Sequence, residues 1–532
     1  MKPPPRSLRS LPPEGASVSF GRPCGDMKSK MLARRSLLKL AGLIGTGVYG
    51  ALQTGAAWAQ AGTAKLTAGA RPAELADFKG EIITRADPSY LGWFWAMTWY
   101  RIKPRDQFPI MFARPTGKQD LSILMAYANK AKVQLMARSS GHNISNTCLV
   151  KDAITVDMSM FDQIEDIDTE GRTVWAGPRV LSEPLNRQLF EKGLAFPSAH
   201  TGFVTIGGYL LGGGMGWNMP AWGMGCASVL AAEVMLADGR IVIASETENT
   251  DLYWALRGVG PGFFGLILRY KLKLHPAPKI VKNTYFYTLD QLEDAVPEFL
   301  KLLPASNNRS EVLGALGRFN PPGTPPEKET WHWAVNIFSY GATEQEALEA
   351  AQVFTESDIG KLSVSNPVTN QPLGYMDLYT QLATDFYAQY RTSEVALFTD
   401  DPAPVLKMLG EKLSAKALDP RSFGFSVLGS NPTVPEPSCY TYKAPHYISW
   451  YLMGTTNEDV QENFALMEEI YEDIKPYIKG YYINEIDLTL FPHMAKECFS
   501  DEKWEKLLEV RKQYDPEKRF ATYLDAWDRQ PA

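Results

Sequence analysis

Apolar and polar positions along the chain follow two periods. Leu121, Leu124, Met125 and Ala128 recur at helical spacing, which predicts a helix over Asp120–Lys132 with Asp120 as its N-cap. Val133–Ala137 is a short apolar run of strand character. Further strands are predicted at Ala153–Asp157, Thr173–Ala176 and Ala232–Leu236, and a helix around Leu181–Lys192. Helices and strands alternating about glycine turns describe an α+β domain. A boundary falls near Pro276-Ala277-Pro278. Beyond it, extended segments at Thr284–Tyr287, Trp331–Tyr340 and Tyr447–Leu452 alternate with amphipathic helices at Glu344–Ser357 and Asp459–Ile474. Antiparallel strands with helices on one face satisfy that pattern. The Pro-rich stretch Asn320–Lys328 reads as an exposed loop.

Two stretches stand apart. Arg138-Ser139-Ser140-Gly141-His142-Asn143 follows a predicted strand, and its small residues let successive N–H groups converge on one anion, with His142 at the edge of that cradle. Taken alone, such a cluster is usually a turn and its His a solvated side chain. The second stretch, Thr205–Gly216, holds six glycines in twelve residues, interleaved with Leu, Ile and Met rather than Ser or Pro. That composition implies a backbone pressed against a large flat or charged ligand, not a flexible linker.

A chain of 532 residues exceeds one core, so two domains are expected. With 45% hydrophobic and 21% charged residues it has a soluble protein's composition, and its mature region has no apolar run suited to a stable membrane span. The N-terminus differs. Arg34-Arg35-Ser36-Leu37-Leu38-Lys39 precedes a Gly- and Ala-rich apolar segment ending in Ala57-Trp58-Ala59, a small-x-small cleavage pattern. It resembles a twin-arginine export signal, with Ala33 where Ser or Thr commonly stands, and predicts a periplasmic or secreted protein. Removing the nine Lys or Arg and two Asp or Glu of residues 1–59 takes the net charge from −6 to −13. So acidic a protein is poorly suited to nucleic acid or anionic membrane surfaces. Cys148, Cys226, Cys439 and Cys498 remain, without the spacing of a zinc site or redox dithiol, and their pairing is open.

These stretches combine with Ala237-Asp238-Gly239, with Asn249–Gly258 followed by Gly260, Gly262, Phe264 and Gly265, with Tyr482-Ile483-Asn484-Glu485-Ile486-Asp487, and with the closing Tyr514–Phe520. Together they resemble the berberine-bridge-enzyme branch of the vanillyl-alcohol-oxidase and p-cresol-methylhydroxylase flavoprotein superfamily, over essentially the whole mature chain. The resemblance implies a two-domain α+β fold of the PCMH type. Residues 75–280 would form the FAD-binding domain, 281–475 an inserted antiparallel-sheet substrate domain, and 476–525 an active-site strand and a return to the FAD-binding domain. It further implies FAD, surrounded by Arg138, Ser139, Ser140, Gly141, Asn143, Thr201, Val204, Gly207, Gly208, Gly212, Gly213, Gly214 and Asn484.

His142 occupies the position that bonds the flavin 8α-methyl carbon, a link that tethers the cofactor and raises its potential. Thr201 stands where the family's second tether is a Cys, so one covalent bond is expected, with the adjacent His200 as an alternative tether. Val204 matches the position controlling dioxygen access and is of the oxidase type.

Glu485 replaces the Tyr that serves many relatives as base. A buried carboxylate could take the substrate's hydroxyl proton, and the other reading is a strand Glu paired with a cation. Trp331, Trp333, Tyr440, Tyr442 and Tyr447 could line a pocket or pack a core, and His332 and His446 could orient a substrate or satisfy buried hydrogen bonds. Ser140, Pro261, Phe263 and Lys518 depart from the family pattern. The expected function is an FAD-dependent oxidase taking hydride from an alcohol, sugar or phenolic-type organic substrate, with electrons passing to dioxygen. The alternatives are a dehydrogenase using a quinone or cytochrome carrier, and a binding protein without turnover.

Overall fold

A computed structural model describes residues 71–99, 107–381, 391–429, 436–441 and 444–526. The predicted signal region and Tyr442 lie outside these residues. A four-stranded sheet runs in the order Glu81–Thr84, Met111–Arg114, Ile154–Asp157, Leu135–Arg138, antiparallel at its first pair and parallel thereafter. A five-stranded antiparallel sheet follows, ordered Ile164–Asp168, Thr173–Ala176, Leu266–Lys273, Val229–Met235, Ile241–Ser245. The largest sheet has eight strands, ordered Ser365–Leu373, Lys279–Thr288, His332–Gly341, Ser310–Gly317, Phe423–Leu428, His446–Gly454, Arg391–Thr399, Gly480–Tyr481. All its pairings are antiparallel.

Alternation divides the large sheet into two faces. Tyr285, Tyr287, Trp333, Val335, Ile337, Val395, Leu397, Ile448, Trp450 and Leu452 belong to the core under the helices Leu292–Leu302, Glu344–Thr355, Pro402–Ser414 and Asn457–Ile474. Leu313, Phe338, Ala396, Phe398, Val427 and Tyr447 point the other way, into a second core shared with Met215, Trp217, Tyr440 and Tyr482. The helices are positioned by their ends: Thr343 accepts from Glu346 N, and Thr456 and Asp459 form a reciprocal capping box.

The chain's end returns to its beginning. Leu135 N donates to Arg519 O and Ala521 N to Leu135 O, which adds Phe520 in parallel to the free edge of the first sheet.

Some sequence expectations are corrected. The helix predicted from Asp120 spans Lys118–Ala131, with Gly117 at its N-cap. Asp120 instead accepts from Lys79 N, Gly80 N, Thr116 N and Thr116 Oγ1, fastening two preceding loops to the helix. Lys132 closes the helix at φ 54°. The glycine-rich stretch, to which the sequence assigns no element, is helical over Ile206–Leu211, with Ile206, Tyr209 and Leu210 buried at i, i+3 and i+4. Glu485 lies in a bend after the short strand Gly480–Tyr481, not within a strand.

Candidate active site

The loop after Leu135–Arg138 is held from within. The Arg138 guanidinium donates to Met97 O, Asp157 Oδ1 and Ser140 O. Gly141 needs its φ of +74°, and an added Cβ would lie 2.1 Å from Met97 O. Ser140 Oγ accepts from Thr205 Oγ1 at 3.0 Å, so the residue that departs from the expected glycine ties the loop to the helix carrying Gly207 and Gly208.

His142 is half-buried, both ring nitrogens out of contact with solvent, and stacks on Trp99 with ring centroids 4.5 Å apart and an interplanar angle of 21°; Phe203 stacks on the same indole at 4.8 Å. Neither imidazole nitrogen has a hydrogen-bond partner. Burial, with the charges of Arg138 and Arg179, drives its pKa down to about 3, so the ring is neutral and both the nucleophilic lone pair and the N–H are unengaged. That is the state in which an imidazole can bond to carbon.

The glycines serve unequal purposes. A Cβ at Gly207 would lie 2.4 Å from Ser139 Oγ, at Gly212 2.0 Å from Asn484 Oδ1, at Gly213 2.9 Å from the Tyr440 ring, and at Gly214 2.7 Å from the Tyr209 ring. These four let the chain pack on itself. Gly208 has nothing within 4 Å of its added Cβ and lies at the surface, leaving room for a ligand to approach its backbone.

The bend Tyr482–Asp487 joins these loops. Tyr482 Oη accepts from Gly214 N and Met215 N, and Asn484 Nδ2 donates to Tyr209 O and Tyr482 Oη. Asn143 Nδ2 reaches Asn484 O at 3.5 Å, and Ser145 Oγ donates to Ile486 O. These contacts fix Glu485 relative to the segment after His142.

Glu485 accepts a hydrogen bond from the Tyr447 hydroxyl. Burial pushes its carboxyl above the usual range, against the bonds from Tyr447 and Tyr451 and the charge of His200. No Lys or Arg pairs with it among the described residues. The partner is a phenol, not the cation of the structural reading.

Thr201 and Val204 are half-buried beside His200, whose Nε2 is engaged at 2.9 Å by the fully buried Glu311. Glu311 also accepts from Asn218 N and Tyr340 Oη. Of the aromatics, Tyr440 and Tyr447 are on the Glu485 side, whereas Trp331 and Trp333 belong to the helix-covered core. His446 Nδ1 accepts from Gly429 N, a structural bond, and His332 has an unpartnered Nδ1. Lys518 is exposed to water.

Sequence reasoning missed Glu394, Tyr451, Glu311, Trp99 and Phe203. The pairing of Glu394 with Tyr451 was carried by alternation, which places both on the face of Tyr447 once the strands are in register.

The four cysteines among the described residues, Cys148, Cys226, Cys439 and Cys498, are buried free thiols. Among the described residues no cluster of three His, Cys, Asp or Glu could hold a metal, and no helix is long and apolar enough to cross a membrane.

Comparison with known proteins agrees with this geometry. A profile of the family described as FAD binding domain matches residues 109–245. The FAD-linked oxidoreductase janO of Penicillium janthinellum is 26% identical over 444 residues, covering 80% of this chain and 93% of that protein. Among solved structures, 6-hydroxy-D-nicotine oxidase from Arthrobacter nicotinovorans superimposes with a TM-score of 0.72 at 19% identity, over 85% of this chain and 99% of that one. BBE-like 1 of Physcomitrella patens gives 0.72 at 16% identity, over 85% and 97%.

Proposed function

We propose that this chain, whose residues 109–245 match the FAD binding domain family and which is similar to FAD-linked oxidoreductases, is a member of the berberine-bridge-enzyme-like branch and an exported oxidase of an alcohol, sugar or phenolic-type organic substrate. His142 would carry the single covalent link and Glu485 would act as base. FAD, when bound, supplies the hydride acceptor and the route for electrons to dioxygen. The observation that carries the reading is the Glu485 carboxyl itself: half-buried, bonded by the Tyr447 phenol with no Lys or Arg ion pair among the described residues, and held by its neighbours to the loop of His142.

The residues divide the work. Glu485 takes the proton from the substrate hydroxyl, and its raised pKa makes it a better base than a surface carboxylate while requiring a higher pH to ionise it. Tyr447 orients that carboxylate by donating to one oxygen. Asn484 and Tyr482 hold the bend against the glycine-rich segment, so the base cannot drift from the loop it serves. His142, neutral and unpartnered, suits attachment to the 8α-methyl carbon, and Gly208 with Ser139 and Ser140 would face the cofactor's charged groups.

The deciding experiment uses the purified holoprotein denatured in acid. Yellow flavin should stay with the wild-type chain and leave the His142→Ala chain; release from both would remove the tether. Glu485→Gln should abolish turnover of any alcohol, sugar or phenol found to reduce the flavin, together with the acid limb of its pH profile. Unchanged turnover and profile would remove Glu485 from the mechanism. Export through Arg34 and Arg35 would fail when both become Lys, and continued export would refute that route.

A further inference from the structure

A buried carboxylate and an imidazole form a pair that the scheme above leaves unused. Glu311, on the strand Ser310–Gly317, is fully buried, and its two oxygens are divided between different partners. Oε2 accepts from Asn218 N at 3.1 Å and from Tyr340 Oη at 3.0 Å, while Oε1 lies 2.9 Å from His200 Nε2. A carboxylate only accepts, so in a neutral imidazole the nitrogen facing Oε1 carries the hydrogen and the free lone pair is on Nδ1. That atom makes no hydrogen bond among the described residues, and the side chain keeps 13% of its surface accessible. Trp217 meets the ring edge-on, with centroids 4.7 Å apart, and so fixes its plane from the side away from Glu311.

Strand register places this pair on the face that serves Glu485. Leu313 pairs with Val427, and Val427 with Tyr447, whose hydroxyl donates to Glu485. Glu311 stands two residues before Leu313 and therefore projects from the same face as Tyr447. Two strand spacings and two residue rises put their Cα atoms roughly 12 Å apart. The glycine-rich segment spans both: Tyr482 Oη, in the bend of Glu485, accepts from Gly214 N and Met215 N, and Trp217 packs on His200. Ala315, Asn336 and Phe425 lie on this face in interior strands, yet each is only half-buried, so protein does not fill the layer above them. A cleft with a proton-taking carboxylate on one side and a fixed acceptor on the other holds a substrate with more than one polar group.

We propose that His200 is a substrate-orienting acceptor and Glu311 its positioning residue: Nδ1 takes a hydrogen bond from a substrate hydroxyl other than the one Glu485 deprotonates. That arrangement selects sugars and polyhydric alcohols over substrates with one hydroxyl. It rests on the role of Glu485 as base in the function proposed above.

Nuclear magnetic resonance of the holoprotein carrying isotope-labelled histidine reads the tautomer without any substrate, at about pH 9, where an ordinary imidazole is neutral. The chain has six histidines, and the signal of His200 is the one missing from His200→Gln. Wild type should show it as the Nε2–H tautomer. In Glu311→Gln the amide oxygen stays with Asn218 N and Tyr340 Oη, which turns the NH2 toward His200 and should convert the ring to the Nδ1–H tautomer. An Nδ1–H ring in wild type, or an unchanged tautomer in Glu311→Gln, overturns the proposal. Steady-state kinetics then use the alcohol or sugar that reduces the flavin fastest, with analogues in which each remaining hydroxyl is replaced by hydrogen in turn. One such analogue should lose roughly tenfold in kcat/KM with wild type, mainly through KM. His200→Gln still donates to Glu311 but has no acceptor in place of Nδ1, and should turn over substrate and analogue alike. Discrimination that survives in His200→Gln, or substrates confined to a single hydroxyl, also overturns the proposal. If Glu311→Gln does not fold, the wild-type tautomer and the His200→Gln kinetics decide. If these results hold but Glu485→Gln turns over normally, the base reading fails and His200 keeps its role.

Discussion

Replacing Gly212 with alanine tests whether the glycine-rich segment is shaped by its own chain. Gly212 has φ −94° and ψ 14°, which alanine adopts freely, so the backbone raises no objection. The obstacle is Asn484: the new methyl would lie 2.0 Å from its Oδ1, 2.3 Å from Cγ and 2.4 Å from Nδ2. The amide must move, giving up its bonds to Tyr209 O and Tyr482 Oη, each contributing about 1 kcal/mol. Overpacking adds about 1–3 kcal/mol, and the lower unfolded-state entropy of alanine returns up to about 1 kcal/mol. The expected net loss is about 2–5 kcal/mol, read as a lower urea midpoint for the holoprotein, with weaker flavin loading because the bend carrying Glu485 shifts with Asn484. The same substitution made in an Asn484→Ala background should cost less than about 1 kcal/mol, a coupling that places the two residues in direct conflict. Additive effects would refute this account of Gly212 and point to a ligand, not Asn484, as the reason for glycine.

Two further outcomes follow from features outside the site. Asp120→Ala removes an acceptor shared by Lys79 N, Gly80 N, Thr116 N and Thr116 Oγ1, and should destabilise the protein by about 2–4 kcal/mol, seen as a lower Tm; a shift of under a degree would mean that water replaces the carboxylate without loss. The four buried thiols should react with a disulfide reagent only after unfolding, and a reducing agent should leave the melting transition where it was; prompt labelling of any of them in the native protein would contradict their burial.

Periodicity found most elements whose burial is one-sided. Leu121, Leu124, Met125 and Ala128 do line the buried face of Lys118–Ala131, and Glu344–Thr355 and Asn457–Ile474 fall within two residues of their expected ends. The helix in the glycine-rich stretch was not legible because glycine weakens helix propensity, although Ile206, Tyr209 and Leu210 keep the helical period that packing uses. Ser365–Leu373 was illegible for a different reason. With two prolines and mostly exposed positions it is a sheet edge, where neither alternation nor β propensity is demanded.

At the candidate site, local motifs pointed to His142 and Glu485, whose neighbours in sequence are also their neighbours in space. Glu394 and Glu311 gave no such signal. A glutamate in a strand normally faces water, and these two are buried on a face of the large sheet that packs against residues such as Met215, Trp217 and Tyr482, distant in sequence from one or both.

The pairing of Leu135 with Phe520 also bears on how the molecule is made. The strand that leads into the His142 loop has a free edge until Arg519–Ala521, from far along the chain, pairs with it. Without that segment Leu135 N and O have no partner, so the N-terminal stretch cannot complete this sheet by itself. A truncation that spares every residue of the site while removing Phe520 would still leave the loop's supporting strand without its neighbour.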